Sequence, residues 1–250
     1  MFDIVIPVGP HDISIISNQI TYTKRNIVGY RNIYIIHCDA TVKIEGCIII
    51  PESIFPFSIQ TVAEYHGKLE RNGWYLQQIL KLYAGFVIPN ILSKYLVIDS
   101  DTFFLKPTTF IQDGKSLYNY SNEYYPHYFT HMKKLHNTFI KQKNISGICH
   151  HMMFETKYIK EIFDLVEKKH NDQFYRVFLK NVTETSGSGA SEYEIYFNYI
   201  IQKHPDTTLP RILKWKNTNT LTDNNNEYNY ISYHWHSRQI TPPLTKLYFV

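Results

Sequence analysis

Two aspartates one residue apart, Asp99 and Asp101 with Ser100 between them, follow the apolar run Lys94-Tyr-Leu-Val-Ile and precede Thr102-Phe-Phe-Leu. In extended chain their side chains point to the same side, because side chains along a strand alternate. Like charges held that close repel unless something positive lies between them. A divalent cation does this, and carboxylate oxygens favour Mg²⁺ or Mn²⁺. The competing explanation is structural, since Asp after a strand also caps turns through local backbone amides. What separates the two is whether the rest of the chain supplies the other parts of a site.

Several residues are suited to do so. Glu192 and Glu194 open the segment Ser191-Glu-Tyr-Glu-Ile-Tyr-Phe-Asn-Tyr-Ile200, behind Gly187-Ser-Gly-Ala. Ser191 and Glu194 have the spacing of a capping box, which gives Glu194 a structural task. Glu192 has no such task, so it is the candidate general base, with Glu194 second. His150 and His151 are adjacent in an apolar run, so one faces each side of the sheet; a histidine in such a strand is more often a hydrogen-bonded core residue than a ligand. His234 and His236 share one face of an alternating segment, as an exposed edge or as metal ligands. Lys81 is either a last-turn cation favoured by the helix dipole or a phosphate contact.

The elements that must position these groups read as alternating strands and helices. Phe2 to Val8 is a strand that stops at Gly9-Pro10 and enters a helical segment, Ile13 to Ile20. Asn32 to His37 and Cys47 to Ile50 are further strands. Arg71 to Gly85 is a helix whose Leu76, Ile79, Leu80 and Tyr83 pack on the sheet, with Gly85 as its terminator. Trp74, Gln77 or Gln78, and Lys81 form a second stripe. Tyr95 to Ile98 is a strand buried on both faces, and its carboxyl end is where open α/β sheets bind ligands. Gln112 to Tyr128 reads as a long surface excursion, Ile145 to Phe154 as a buried strand, and Tyr158 to Lys169 as an amphipathic helix with Ile159, Ile162, Phe163 and Val166 inward. Asp172 to Lys180 continues as a helix, Asn217 to Asn229 as a polar loop suited to a lid, and Tyr230 to His236 as a strand.

The totals narrow the class. At 250 residues with 44% hydrophobic and 19% charged side chains, the chain buries a core and is not disordered. A net charge of +4 without a Lys/Arg block suits a small anionic ligand rather than nucleic acid. Lys24-Arg25 and Lys133-Lys134 read as solvated surface. Cys38, Cys47 and Cys149 form no CxxC pair and leave an odd thiol, as expected in a reducing compartment. No apolar run approaches the roughly 20 residues of a membrane span, so the expectation is a cytoplasmic protein. Oligomeric state is not readable. Neither GxGxxG nor GxxxxGK[ST] is present, against a dinucleotide fingerprint and a P-loop.

Five pieces occur in order along the chain: Ile4-Val-Ile-Pro-Val-Gly-Pro-His-Asp12, Gly73-Trp-Tyr-Leu-Gln-Gln-Ile-Leu-Lys-Leu82, Leu96-Val-Ile-Asp-Ser-Asp101, His150-His-Met-Met-Phe154 and Ser191-Glu-Tyr-Glu-Ile-Tyr196. Together they resemble a GT-A-type nucleotide-sugar glycosyltransferase, and specifically a GT-A-like family found in capsule and surface-polysaccharide loci and in large DNA viruses. The resemblance implies an α/β fold: a single GT-A, Rossmann-like domain with a mixed, mostly parallel central sheet flanked by helices. Residues 1–107 would form the nucleotide-binding half, and 108–250 the acceptor-side half with a C-terminal metal-shell segment. It also implies a nucleoside-diphosphate-sugar donor, UDP favoured, with Mn²⁺ or Mg²⁺ and a glycan or glycoprotein acceptor.

By the same resemblance Pro7, Val8, Gly9 and Asp12 would hold the nucleotide, and Gln77 and Lys81 the donor phosphates or sugar. Ser100 would belong to the donor site, and His151 would touch the donor sugar. Asp101 would bind metal, Asp99 ribose or metal, and His234 or His236 would complete the metal shell. A base at Glu192 implies inverting transfer. Two alternatives use the same residues differently. A phosphoryl or nucleotidyl transferase would employ the Asp pair with two metals. A non-catalytic carbohydrate-binding module would employ the 16% of aromatic residues for stacking, although these serve equally as core.

Overall fold

The computed structural model describes residues 1–142, 144–221 and 227–238. Strand β1 (Phe2–Pro7) is buried throughout and leads through helix α1 (Ile16–Asn26) and the short β2 (Ile27–Val28) to β3 (Tyr30–His37) and β4 (Ile48–Pro51). Helices α2 (Ile59–His66) and α3 (Asn72–Val87) then carry the chain back to β5 (Lys94–Ile98), whose apolar residues are buried on both faces. After these come β6 (Thr102–Phe104), β7 (Thr108–Thr109), β8 (Ile111–Gln112), β9 (Lys115–Asn119) and α4 (Pro126–Leu135). The remainder comprises β10 (His151–Glu155), α5 (Thr156–His170), α6 (Phe174–Lys180), α7 (Glu192–Lys203), β11 (Thr208–Arg211), β12 (Trp215–Asn217) and β13 (Tyr230–Ser232).

The central five-stranded sheet has the order β10-β5-β1-β3-β4. β5, β1, β3 and β4 run parallel, and only β10 is antiparallel, with Met153 opposite Leu96. The fold is thus α/β with a mixed, mostly parallel central sheet flanked by helices. From β1 the chain builds outward to β3 and β4 and then returns to β5 on the other side, so the switch in direction falls between β1 and β5. In open α/β sheets that crevice is the usual ligand site.

One apolar cluster runs from Phe2 to Tyr230. Leu76, Ile79 and Leu80 of α3 lie in it, as do Ile159, Ile162, Phe163 and Val166 of α5. Helix α5 ends at Asn171 in the left-handed conformation, which Asn tolerates. Helix α3 does not end at Gly85 but continues to Val87. The glycine answers a packing need instead: a Cβ there would lie 2.5 Å from Oγ1 of Thr156 and 2.7 Å from a ring carbon of Tyr95.

Other expected elements also change. The segment read as a surface excursion contains β8, β9 and the start of α4, with β11 pairing parallel to β9. Its mixed polarity reflects a buried strand, β9, whose polar Ser116 and Asn119 are satisfied by Glu155 and Tyr230, so no polar-out alternation marks it. The strand expected from Ile145 begins only at His151, and that expected to reach His236 stops at Ser232. β13 pairs antiparallel with β6, placing Ser232 opposite Thr102, and β12 joins β13 in parallel. Among the described residues, no helix is long and apolar enough to cross a membrane.

Candidate active site

The loops after β1 and β5 meet at the switch point. Pro7 and Val8 are buried, and the amide of Val8 donates to Ile36 O at 2.9 Å, so they wall the crevice with backbone. Gln77 of α3 approaches Gly9, where a Cβ would lie 3.3 Å from its side-chain nitrogen. Asp12 accepts from Ser100 Oγ at 2.5 Å and from the guanidinium of Arg238. Arg238 also donates to His11 O at 2.9 Å, and Trp235 stacks on the His11 ring with centroids 4.4 Å apart. The first loop is therefore tied to the turn through Ser100 and to the segment around Arg238 through Asp12.

The two aspartates do not lie along extended chain. The amide of Thr102 donates to Asp99 O at 2.9 Å, closing a tight turn, so strand alternation does not set their directions. They serve different neighbours. Asp99 Oδ1 accepts from Lys81 Nζ at 2.6 Å and from the Tyr193 hydroxyl at 2.8 Å, while Oδ2 lies 3.4 Å from His150 Nδ1. Asp101 Oδ2 is 2.7 Å from His234 Nδ1, and Asp101 Oδ1 is buried without a hydrogen-bond partner. The amide of Tyr233 donates to Asp101 O at 2.8 Å, so the pairing of β13 with β6 carries His234 to this point.

Lys81 is the hub of the buried charges. Its ammonium lies 2.6 Å from Asp99 Oδ1 and 2.6 Å from Glu192 Oε1, and 4.5 Å from the centre of the Tyr193 ring. Glu192 is held in turn by the Gln78 side chain, whose oxygen accepts from the Glu192 amide at 3.1 Å. Burial alone favours neutral forms here. On Lys81 the charges of Asp99 and Glu192 outweigh it and raise the pKa. On Asp99 the charges of Lys81 and His150 outweigh it and hold the carboxyl well below the usual range. On Glu192 burial prevails over Lys81, and the pKa is raised. His234 is raised as well: burial opposes its charge, but the bond and charge of Asp101 outweigh that.

Glu194 lies apart from this cluster. It is fully buried, its Oε1 accepts from Ser146 Oγ at 2.5 Å, and its Oε2 accepts from Asn198 at 2.6 Å. Ser191 does cap the helix, accepting from the Glu194 amide at 3.2 Å, but the Glu194 side chain turns into the core instead of back to the cap. His151 is also outside the cluster. Its ring packs against Phe104, Phe110 and Tyr230, both ring nitrogens lack partners, and burial with the nearby positive groups lowers its pKa to about 3. His236 is exposed and stacks on His234 with centroids 5.4 Å apart.

His150, rather than His151, is the histidine beside Asp99. Its backbone φ of 58° is left-handed, rare outside glycine and frequent at functional sites. That twist aims the ring at Asp99, 5.2 Å from the His234 ring and edge-on to Trp215 at 4.7 Å, with Nε2 buried and unpartnered. The adjacent histidines were a visible signal, but which one turned inward depended on this backbone. Tyr193 and Arg238 were missed altogether; Tyr193 sits between the two glutamates that were weighed, so its position was a signal left unused.

Among the described residues, no three His, Cys, Asp or Glu side chains converge into a ready-made metal cage. The orphaned Asp101 Oδ1 and the adjacent His234 nevertheless fit a divalent cation whose other ligands are substrate phosphates, the usual arrangement for Mg²⁺. The imidazole suits Mn²⁺ better than Mg²⁺.

Residues 30–246 match the model of a family of unknown function, DUF6492. No curated protein matches the chain. Among solved structures the chain is similar to mouse xyloside xylosyltransferase 1 in its apo form, at 12% identity and a TM-score of 0.38, with 87% of each chain covered.

Proposed function

The chain belongs to the DUF6492 family, and from that premise we propose that it is a metal-dependent glycosyltransferase of the GT-A type, taking its sugar from a nucleoside-diphosphate-sugar. The observation that carries this reading is the Asp101 carboxylate at the strand switch point, one oxygen bonded to His234 and the other buried without a partner. An acceptor left open at that position calls for a cation, and a crevice walled by the first loop suits the diphosphate that would share it.

In the reaction the bond between the sugar's anomeric carbon and the phosphate oxygen breaks, and its electron pair leaves with the diphosphate. A bond forms from the acceptor hydroxyl to the same carbon. Asp101 and His234 would hold Mn²⁺ or Mg²⁺, which when bound supplies Lewis-acid stabilisation of the departing charge. Pro7, Val8, Gly9 and Gln77 line the nucleotide side, and Asp12 with Ser100 keeps the first loop on the turn. Lys81 orients Asp99 toward donor ribose and keeps Glu192 in place. Glu192 takes the hydroxyl proton, a role its raised proton affinity favours, and transfer then inverts the anomeric centre. The acceptor is a glycan or a glycoprotein.

Incubation of the chain with Mn²⁺ and UDP-, GDP- and TDP-sugars, read by mass spectrometry for released nucleoside diphosphate, tests the reading. Turnover of at least one diphospho-sugar, lost on chelation, is expected. Consumption of nucleoside triphosphates with no diphospho-sugar turned over would transfer the site to phosphoryl or nucleotidyl chemistry.

A further inference from the structure

A groove of about 620 Å³, within the roughly 300–1,000 Å³ of small-molecule clefts, is lined by Trp215, whose ring touches His150. Tyr120, Leu213 and Trp215 give it apolar wall. Trp215 is the link to the centre, since its ring meets His150 edge-on and His150 faces Asp99. A second cavity of about 410 Å³ abuts the first, and the two share Asn122, Glu123 and Asn144. Trp215, which touches His150, lines the first cavity, and Tyr124 and Lys141 line the second.

We infer that this groove is the acceptor site and that its occupant is an oligosaccharide of two or more sugar units. The inference rests on the transferase reading above. Sugar rings offer polarised C–H faces, which the electron-rich faces of Tyr and Trp attract, and hydroxyls at the rim, which amides and carboxylates bond. The groove has both sets of groups: Tyr120, Tyr124 and Trp215 are its aromatic residues, and Asn122, Asn144 and Glu123 line the waist where the two cavities meet. An acyl chain would leave the two amides and the Glu123 carboxylate unpaired, whereas ring hydroxyls can bond these and the Lys141 and Lys216 ammoniums alike. Two joined cavities suit more than one ring.

The waist is built, not incidental. Ser121 and Ser146 exchange backbone hydrogen bonds at 2.9 Å, and Ser121 Oγ accepts from the Glu123 amide at 3.2 Å. Ser146 Oγ in turn donates to buried Glu194 at 2.5 Å, which gives that carboxylate a task beneath the acceptor groove. Glu123 is half-buried at this waist, and the hydrogen bond to its amide fixes the backbone that presents its carboxylate to the groove.

Titration calorimetry on the full chain with Mn²⁺ tests the inference, using UDP, GDP and TDP, then linear tetrasaccharides of glucose, galactose, mannose, xylose and N-acetylglucosamine and the matching monosaccharides. At least one tetrasaccharide is expected to bind about 10-fold or more tighter than its monosaccharide. Glu123→Gln and, at a well-exposed position that tolerates change, Tyr124→Ala should each weaken that binding about 5-fold or more while UDP affinity stays within about 2-fold. A wild-type chain that binds a nucleoside diphosphate but no tetrasaccharide, or variants that bind the tetrasaccharide unchanged, overturns the groove assignment and leaves the transferase reading standing. A chain that binds a tetrasaccharide but no nucleoside diphosphate overturns the transferase reading instead, and binding of neither overturns both.

Discussion

The ammonium of Lys81 rests 2.6 Å from Oδ1 of Asp99, and the same nitrogen is 2.6 Å from Oε1 of Glu192, so one cation neutralises two carboxylates from opposite halves of the chain. Lys81→Met leaves Glu192, whose side chain is 4% exposed, without its counter-charge. Removing one partner of a buried pair costs about 3 kcal/mol or more, because the remaining charge stays desolvated. Urea unfolding should show the midpoint falling with an unchanged slope. Adding Glu192→Gln to Lys81→Met should recover part of the loss, a coupling absent if the two residues act independently.

Glu192→Gln alone separates the base role from the ion-pair role. Loss of a general base lowers kcat by about 10²–10⁴. UDP and Mn²⁺ binding should stay close to wild type, because neither ligand needs the proton acceptor. Burial raises the Glu192 pKa, so the acid limb of the wild-type pH–rate profile should lie above the ordinary carboxylate range. Transfer at the wild-type rate by the variant would falsify the assignment and with it the inverting stereochemistry.

Asp101→Asn and His234→Ala address the metal directly. Asp101 has one oxygen on His234 and one without a partner, so each substitution removes a proposed ligand and also unpairs its neighbour. Mn²⁺ affinity, followed by electron paramagnetic resonance in the presence of UDP, should fall at least about 100-fold, beyond the 10–100-fold typical of outer-shell changes. His236→Ala, at an exposed ring that stacks on His234, should change it much less.

His131 predicts an acid-sensitive fold away from the site. It is buried with Nε2 against Phe178 O at 2.9 Å, and burial lowers its pKa from 6.5 to about 4. A depressed folded pKa means the unfolded chain binds the proton first, so stability is full above pH 6.5 and is lost as pH falls toward about 4. The loss amounts to about 3 kcal/mol at most. His131→Gln should flatten the stability profile across that window, measured by chemical denaturation at stepped pH.

Gly85→Ala tests close packing of α3 against the start of α5. The added Cβ would meet Thr156 Oγ1 at 2.5 Å and Tyr95 at 2.7 Å, and Tyr95 is fully buried and unable to retreat. Overpacking of this kind costs about 1–3 kcal/mol, against the gain of up to about 1 kcal/mol that Ala brings to an unconstrained helix position. Thermal unfolding should therefore show a lower midpoint, whereas Gly73→Ala, with nothing within 4 Å, should leave it unchanged or higher.

Sequence alone determined the alternating α/β order, the buried strand ending at Asp99, the inward faces of α3 and α5, and the Ser191 cap. These follow from local periodicity and short-range hydrogen bonding, which neighbouring residues set between themselves. It also brought Lys81, Asp99 and Glu192 into view as separate candidates. Only the tertiary structure decided that they are one cluster, that Glu194 turns into the core, and that His150 rather than His151 faces Asp99. The same holds for His234, which reaches Asp101 because β13 pairs with β6 across more than a hundred residues of chain. Such contacts depend on which distant strands pair and on a left-handed backbone at one residue. Neither leaves a periodic trace, because the energy that selects them comes from packing and buried charge summed over the whole fold.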